Sequence, residues 1–364
     1  MSLYNCGVVL VLCMSLSPLQ RRRWKNFVSN RRGFVSSIIF LFLAILSFLA
    51  PLIANDRPLA VKFQDKLHFP VFSVYSEVFF GGDFETEANY RDSYVQNLIR
   101  ANGNKELSTA ENSGWIFWPP IRFNARTINY AVDYHPSPPS KVNWLGTDDQ
   151  GRDVAARVLY GFRISMLFGV VVTVISTILG ITAGAIQGYF AGKVDMIFQR
   201  IIEIWSQTPQ LYLIMIVASL IRPDFTILIL LFCFFSWTAL VGVVRAEFLR
   251  ARNFEYVMAS RALGVSDIAI MFCHLLPNAI VAALTLLPFV LTGAISALAA
   301  LDFLGFGLPP EYPSLGELAL QGKRNLHAPW LAMSAFFTFA MMLSLFVFIF
   351  EAIRDAFDPR KVFV

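Results

Sequence analysis

Apolar residues gather into six runs, and the polar stretches between them differ greatly in length. The runs cover about residues 34–53, 164–187, 197–221, 226–244, 279–301 and 331–350. Apolar runs of about 18 residues or more read as membrane helices. The pattern therefore predicts an all-α polytopic membrane protein with six transmembrane helices. The polar remainder is a short N-terminal stretch (1–33), one large segment (54–163), a loop (245–278) and a tail (351–364). Residues 164–350 would form a five-helix core.

Composition agrees with that reading. The chain is 56% hydrophobic with a mean hydropathy of +0.57, which excludes an ordinary soluble domain. A net charge of +5 would suggest nucleic acid in a soluble protein. Here the basic residues flank apolar runs, so lipid headgroups take them and no nucleic-acid partner is expected. Arg21, Arg22, Arg23, Lys25, Arg31 and Arg32 precede the first run with no acidic residue among them. Basic flanks stay in the cytoplasm, which places the N-terminus inside, residues 54–163 outside and the C-terminus inside. Lys193, Arg200, Arg245, Arg250, Arg252, Arg261, Arg354, Arg360 and Lys361 fall on the inner side, whereas the short outer loops hold only Arg222, Lys323 and Arg324. The patch VVLVLCM near the start has no basic residue before it and is not read as a secretory signal. Met14 is a plausible alternative start, with residues 1–13 outside the native chain. Cys6, Cys13, Cys233 and Cys273 form no C-x-x-C pair, so neither a disulfide framework nor a zinc site is expected.

The large polar segment carries aromatic-rich pieces (FPVFSVYSEVFF, WIFWPPIRF) and a Pro-rich turn (HPSPPSKVNW), and reads as a small strand-and-loop module. His68 and His135 stand alone, and TDDQGRD lacks the spaced ligands and closing Glu of a calcium loop, so no metal is expected. Its end, NWLGTDDQGRDVAARVLYGFRIS, reads as a turn and then a helix lying along the membrane surface. Asp153 can cap that helix, while Val154, Val158 and Leu159 give it an apolar face. In the second run Gly180, Gly184 and Gly188 recur every four residues, followed by Gly192, on one stripe that admits a close neighbouring helix. GYFAGKV is too short for a phosphate loop and lacks the Ser or Thr, and no Walker A sequence occurs elsewhere. No nucleophile–base pair stands out, so no catalytic residue is assigned. Glu203, in the third run, reads better as a paired or snorkelling acid than as a functional one.

The run EYVMASRALGVSDIAIMFCHLLPN, from Glu255 to Asn278, lies between two apolar runs, yet Glu255, Arg261, Asp267 and His274 make it costly to bury in lipid. Val257, Ala259, Ala262 and Leu263 suit a short amphipathic helix. Gly264 permits a tight bend, Ser266 or Asp267 can cap a second helix, and Pro277 fits the first turn of the following span. The result is a helix–turn–helix bracket. On these residues alone it is either a docking surface or a plain connecting loop.

The bracket resembles the EAA loop of permease subunits of ABC importers, with Ala259, Gly264, Leu276 and Pro277 matching. Met258 stands where the family Glu often sits, Ser260 replaces the second Ala, and His274 replaces the usual Ile. The form A-x-x-A-L-G…H-x-L-P-N resembles the oligopeptide/dipeptide/nickel branch. A second resemblance lies just before the second span, in the signature carried by Leu145, Gly146, Thr147, Asp148, Gly151, Arg152, Asp153, Arg157, Gly161, Arg163 and Ser165, which is similar to C-type oligopeptide permeases. DFLGFGLPP…PSLGEL and the ending RDAFDPR resemble further family segments. IANDRPL and PPIRF resemble the Yej-type branch, associated with uptake of microcin C and peptides.

The resemblance implies a type I ABC importer permease fold with a sizeable periplasmic insertion between the first two helices. It also implies that the chain sits in a bacterial inner membrane and forms half of a translocation pathway. Glu255, Ala259, Ala262, Gly264, Asp267, His274, Pro277 and Asn278 would form the ATPase-coupling loop. The implied partners are a second homologous permease, two ATP-binding subunits, a periplasmic substrate-binding protein and the lipid bilayer. ATP and Mg would be bound by the partner subunits, with no cofactor or metal in this chain. Two alternatives remain: an ion-coupled secondary carrier and a membrane-anchored receptor. The spans are almost free of mid-membrane charge and show no internal repeat, which disfavours the first. A receptor has no need of six spans or a docking bracket.

Overall fold

The computed structural model describes residues 18–102, 114–221 and 223–357. The proposed alternative start at Met14, the tail residues Arg360 and Lys361, and Arg222 lie outside them. The chain opens with α1 (Pro18–Ser29) and α2 (Arg31–Phe48), a helical turn Ala50–Ile53, strands β1 (Ala60–Phe63) and β2 (Lys66–His68), α3 (Ser93–Arg100) and β3 (Trp115–Phe117). Then follow α4 (Val154–Phe190), α5 (Gly192–Ser206), α6 (Gln210–Leu220), α7 (Phe225–Ser236), α8 (Thr238–Ala251) and α9 (Glu255–Ala262). Next come α10 (Asp267–Ala269), a π-helical stretch Ile270–Leu275, α11 (Leu276–Leu284), α12 (Leu287–Leu304), α13 (Leu315–Arg324) and α14 (Pro329–Phe357). Among the described residues six helical segments are long and apolar enough to cross a membrane, or seven if the bent pair α5–α6 counts as one span.

Three elements depart from the apolar runs, each for a local reason. The surface helix expected before the second span is not a separate element: α4 is one helix of 37 residues, about 55 Å at 1.5 Å per residue. No proline interrupts it, and Asp153 starts it by accepting the Ala156 N–H at 2.8 Å. The third run is instead broken: α5 and α6 meet at 66° across Gln207–Pro209, where proline removes an N–H and clashes with the preceding turn. The fifth run is divided by Thr285–Leu286, and Pro288 sits in the first turn of α12. Glu203 is paired with Arg200 at 2.6 Å on the exposed side of α5.

The chain divides into two compact units. The first takes its described residues from 1–42, 166–301 and 340–364. Its largest apolar cluster joins Ala185 and Tyr189 of α4 to Leu240, Val244 and Phe248 of α8, Val257 of α9, and Ile270 and Leu275. Phe168 packs edge-on against Phe232 at 5.1 Å, and Phe40 of α2 lies 4.6 Å from Phe346 of α14. Gly33 allows α2 to approach the Ala352 side chain closely.

The second unit takes its described residues from 43–165 and 302–339. Its sheet has the order β2-β1-β3, antiparallel throughout, with Val61 opposite both His68 and Ile116. Period-two alternation turns Val61 and Phe63 inward onto Phe80, Tyr90, Val95 and Ile99. Asp92 caps α3 by accepting the Tyr94 N–H at 2.9 Å. A second cluster gathers Ala54, Ile121, Phe123, Ala156 and Tyr160, and a third Val154, Leu318, Ala328, Leu331 and Ala335.

Candidate functional site: an exposed bracket and a buried ion-pair cluster

In the first unit the bracket is α9, a turn at Leu263–Ser266, and the helical segment that begins at α10. Gly264 has φ +78°, and no atom lies within 4 Å of where a Cβ would stand. The turn therefore needs glycine for its backbone conformation and not for close packing. Ser266 caps the second limb by accepting the Ala269 N–H at 3.4 Å. The π-helical stretch follows, with the Leu276 N–H bonded to Met271 O just before Pro277, whose missing N–H leaves the preceding turn free to widen.

One face of the bracket is anchored. Val257, Ile270 and Leu275 are buried in the cluster with Phe248. The Tyr189 hydroxyl, at the end of α4, donates to Asp267, and the Arg261 guanidinium lies 5.2 Å from the Tyr189 ring centre. Arg252 Nη1 donates to Tyr189 O at 3.0 Å. Beneath these, Arg245 grips Asp195 with two bonds, Nε to Oδ1 at 2.5 Å and Nη2 to Oδ2 at 2.7 Å.

The other face is open. Glu255, Ala259, Ala262, Gly264, Asp267, Pro277 and Asn278 are exposed and His274 is half-buried. Met258, Leu263, Ile268 and Phe272 stand out beside them, Leu263 at 84% exposure and Ile268 at 70%. Met258 on α9 and Leu263 in the turn mark an interaction surface, whereas Ile268 and Phe272 belong to the stretch Asp267–Leu284, which is long and apolar enough to cross a membrane.

Gly180, Gly184 and Gly188 lie against α8 and the residue before it, whereas Gly192 falls past the end of α4, at φ +55°, and is not on the stripe. A Cβ on Gly180 would come within 2.5 Å of Trp237 O, on Gly184 within 2.8 Å of Val241 O, and on Gly188 within 2.6 Å of Arg245 O. These carbonyls also recur every four residues, so the two helices meet backbone to backbone along the stripe.

In the second unit the signature residues converge. Gly146 and Gly151 take φ of +76° and +82° around a tight turn. Thr147 is buried, its Oγ1 accepting the Ser137 N–H at 2.8 Å, and its carbonyl accepts Trp330 Nε1 at 3.2 Å. Asp148 accepts the N–H groups of Gln150 and Arg152 at 2.9 and 2.8 Å and the Arg152 Nε at 2.6 Å. Arg152 Nη2 reaches Glu317 Oε1 at 3.0 Å, and Arg157 Nη2 reaches Glu317 Oε2 at 2.5 Å. Arg157, 1% exposed, stands 3.5 Å from Asp148 through Nε. Two cations and two anions thus balance inside the fold, as burial of charge requires. Burial pulls the Arg152 guanidinium down, but Asp148 and Glu317 outweigh it and hold it above its ordinary value. Burial likewise pushes the Asp153 carboxyl up, opposed by its bonds from the Ala156 N–H and Asn143. Arg163 lies outside this cluster, 5.0 Å from the Tyr160 ring centre.

Glu317 lies within the segment PSLGEL but was given no role there; it comes from α13, 165 residues after Arg152. Nothing local pointed to it, since Asp148, Asp149 and Asp153 already stand beside the two arginines. Asp302 and Ser314 were likewise given no role. Asp302 accepts the Leu308 N–H at 2.7 Å and the Ser314 hydroxyl at 2.5 Å, and Ser314 in turn caps α13 through the N–H groups of Gly316 and Glu317. That chain of bonds fixes where Glu317 points. Arg245 was read only as an inner-side basic residue, and Tyr189 and Asp195 were missed because nothing in their own neighbourhoods marks them.

Residues 176–362 match the family described as the inner membrane component of binding-protein-dependent transport systems. The chain belongs to this family. Residues 17–69 of the permease also match the N-terminal transmembrane domain of oligopeptide transport permease C. The permease is 53% identical over 347 residues to the inner membrane ABC transporter permease protein YejE of Escherichia coli, covering 95% of this chain and 98% of that one. It is 50% identical over 372 residues to the peptidoglycan transport system permease protein YejE of Agrobacterium fabrum, covering 95% and 94%. The dipeptide transport system permease protein DppC of Haemophilus influenzae is 32% identical over 345 residues, with 94% and 95% covered. The permease is accordingly a multi-pass inner membrane protein and a subunit of an ABC importer. The bracket and Glu317 lie inside the first matched stretch, whereas Asp148, Arg152 and Arg157 lie between the two.

Proposed function

We propose that this permease forms half of the pathway by which peptides or peptide-like compounds enter the cell, with microcin C-like conjugates and peptidoglycan-derived peptides within the class. A periplasmic binding protein delivers the cargo, a second homologous permease supplies the other half of the pathway, and two ATP-binding subunits drive the cycle. ATP and Mg belong to those subunits, with no cofactor or metal in this chain. The termini lie in the cytoplasm, as the basic flank of α2 requires, and the bracket is on that side.

The observation that carries the reading is the two-sided character of the bracket. Its inner face is fastened to α4 and α8 through Tyr189, Arg252 and the buried cluster, while its outer face presents Met258 and Leu263 around a glycine bend. A partner seated there pushes on the helices that carry the glycine stripe. The Asp148–Arg152–Arg157–Glu317 cluster acts as a brace and makes no contact with cargo in this reading. Purification of the tagged chain from its native membranes in mild detergent, followed by mass spectrometry, tests the assembly. A second permease and ATPase subunits are expected; a stable chain without an ATPase partner would favour a carrier or receptor.

A further inference from the structure

We propose that the open cleft of about 1160 Å³ in the second unit binds a short zwitterionic peptide, its carboxylate against Arg91 and Arg126 and its amino end toward Asp56. Residues 55–57, 87–92, 124, 126–128 and 130–131 wall this cleft, with Pro51 and Tyr160 beside them. Sites for small ligands typically enclose about 300–1,000 Å³, so several peptide residues fit here.

The walls carry three acids, Asp56, Glu87 and Asp92, and three cations, Arg57, Arg91 and Arg126. Glu87 and Arg57 neutralise each other at 2.6 Å. Asp92 is engaged as the cap of α3. The remaining charges are held by neutral partners. Asp56 accepts the Thr127 hydroxyl at 2.8 Å, and Arg126 donates Nε to the Glu311 carbonyl at 2.8 Å. Arg91 packs its guanidinium 4.2 Å over the Phe123 ring and reaches the Ile128 carbonyl at 3.5 Å. Among the described residues neither Arg91 nor Arg126 has a carboxylate within 4 Å.

A half-buried guanidinium without an anion is an unfinished arrangement. Burial lowers Arg91 from its ordinary value and Asp56 offsets this only in part, so an arriving carboxylate is favoured. The Tyr90 hydroxyl, also in the wall, is buried with no partner among the described residues, and burial raises it so that it stays a neutral donor. Asn124 adds an amide group of the kind that pairs with a peptide backbone, while Asn89 already accepts the Arg91 N–H through Oδ1 and Asn55 is bonded to Pro51 O and the Arg57 N–H. A ligand of one sign would leave one wall unmatched, whereas a zwitterion meets both. The identity of the ligand rests on the importer reading; the charge pattern of the cleft does not.

Calorimetric titration of the purified transporter complex, without its binding protein, with tri-alanine, its C-terminal amide and its N-acetyl derivative tests the site. Tri-alanine should bind. C-terminal amidation and Arg91→Gln should each weaken it at least tenfold, with no further loss when the two are combined. N-acetylation should weaken binding to the wild-type complex. Ala131→Trp, at an exposed wall position, should abolish binding while altering no buried group. Undiminished binding in Ala131→Trp, equal affinity for the amide, or absence of binding to the wild-type complex would overturn the proposal. ATP-driven uptake of tri-alanine by proteoliposomes supplied with the binding protein separates the two readings. Uptake without cleft binding overturns the cleft alone, and cleft binding without uptake overturns the importer reading alone.

Discussion

Glu317 divides one carboxylate between two guanidiniums, Arg152 and Arg157, while Asp148 serves Arg152 and the local backbone. Removing that acid leaves two buried cations facing a single anion. Glu317→Ala should therefore cost about 3 kcal/mol, read as a fall in the unfolding midpoint of the detergent-solubilised protein. Replacing both partners with apolar groups, Arg157→Met with Glu317→Leu, should cost less than either change alone, because no charge is then stranded. If the double variant is as unstable as the sum of the singles, the cluster is not acting as a unit. Asp149 makes a different case. Its Oδ1 is buried without a partner among the described residues, and burial, reinforced by Asp148, raises its carboxyl above the ordinary value. A carboxyl raised on folding holds its proton longer in the folded state, so its penalty is absent below the unfolded value and grows as pH rises through the folded one. Asp149→Asn should raise the unfolding midpoint by a few degrees at neutral pH, and this gain should shrink as the pH is lowered toward 4. A gain that does not change with pH would assign it to something other than charge.

Among the elements, the contact of α4 with α8 has the least tolerance. Val241 O and the Val244 side chain both lie within 2.8 Å of where a Gly184 Cβ would be, and the carbonyl cannot give way without moving the helix. Gly184→Leu should cost about 1–3 kcal/mol and lower the yield of folded protein from membranes. A variant of normal stability and yield would mean that the two helices do not need this approach. The glycine spacing was legible because a period of four on a helix projects onto one line regardless of the partner. The helix it meets was not legible, since apolar runs carry no record of which neighbour they pack against. The break between α5 and α6 falls at Pro209, inside a run of apolar residues whose continuity predicts one span. The extension of α4 back to Val154 was missed because Val154, Val158 and Leu159 suit the apolar face of a surface helix, and only Glu317, far along the chain, shows how Arg157 is buried.

For the whole molecule, the class of fold and the family were legible because both rest on local signals: apolar length and short motifs with fixed spacing. The candidate sites were legible in part. The bracket stood out as a segment, since its polar positions interrupt the membrane pattern. The ion-pair cluster was legible on one side only, because the motif that holds Asp302, Ser314 and Glu317 carries no sign that it folds against Arg152 and Arg157. In the proposed cycle, motion passes from an ATP-driven partner through the bracket to α4 and α8. Ala259 and Gly264 occupy its open face, so a change at either leaves the core packing intact. Ala259→Glu should reduce the amount of ATPase subunit recovered with the tagged chain, and undiminished recovery would place the partner elsewhere. Gly264→Val should strain the bend by about 1–2 kcal/mol without any clash, and so alter the shape of the docking face alone.

ATP-dependent uptake by proteoliposomes holding the complete complex, compared between the wild-type chain and Gly264→Val with ATP hydrolysis recorded in parallel, tests the central claim most directly. Uptake should fall at least tenfold in the variant while hydrolysis and assembly persist. Uptake that is undiminished in Gly264→Val, or that runs on an ion gradient without ATP, would contradict it.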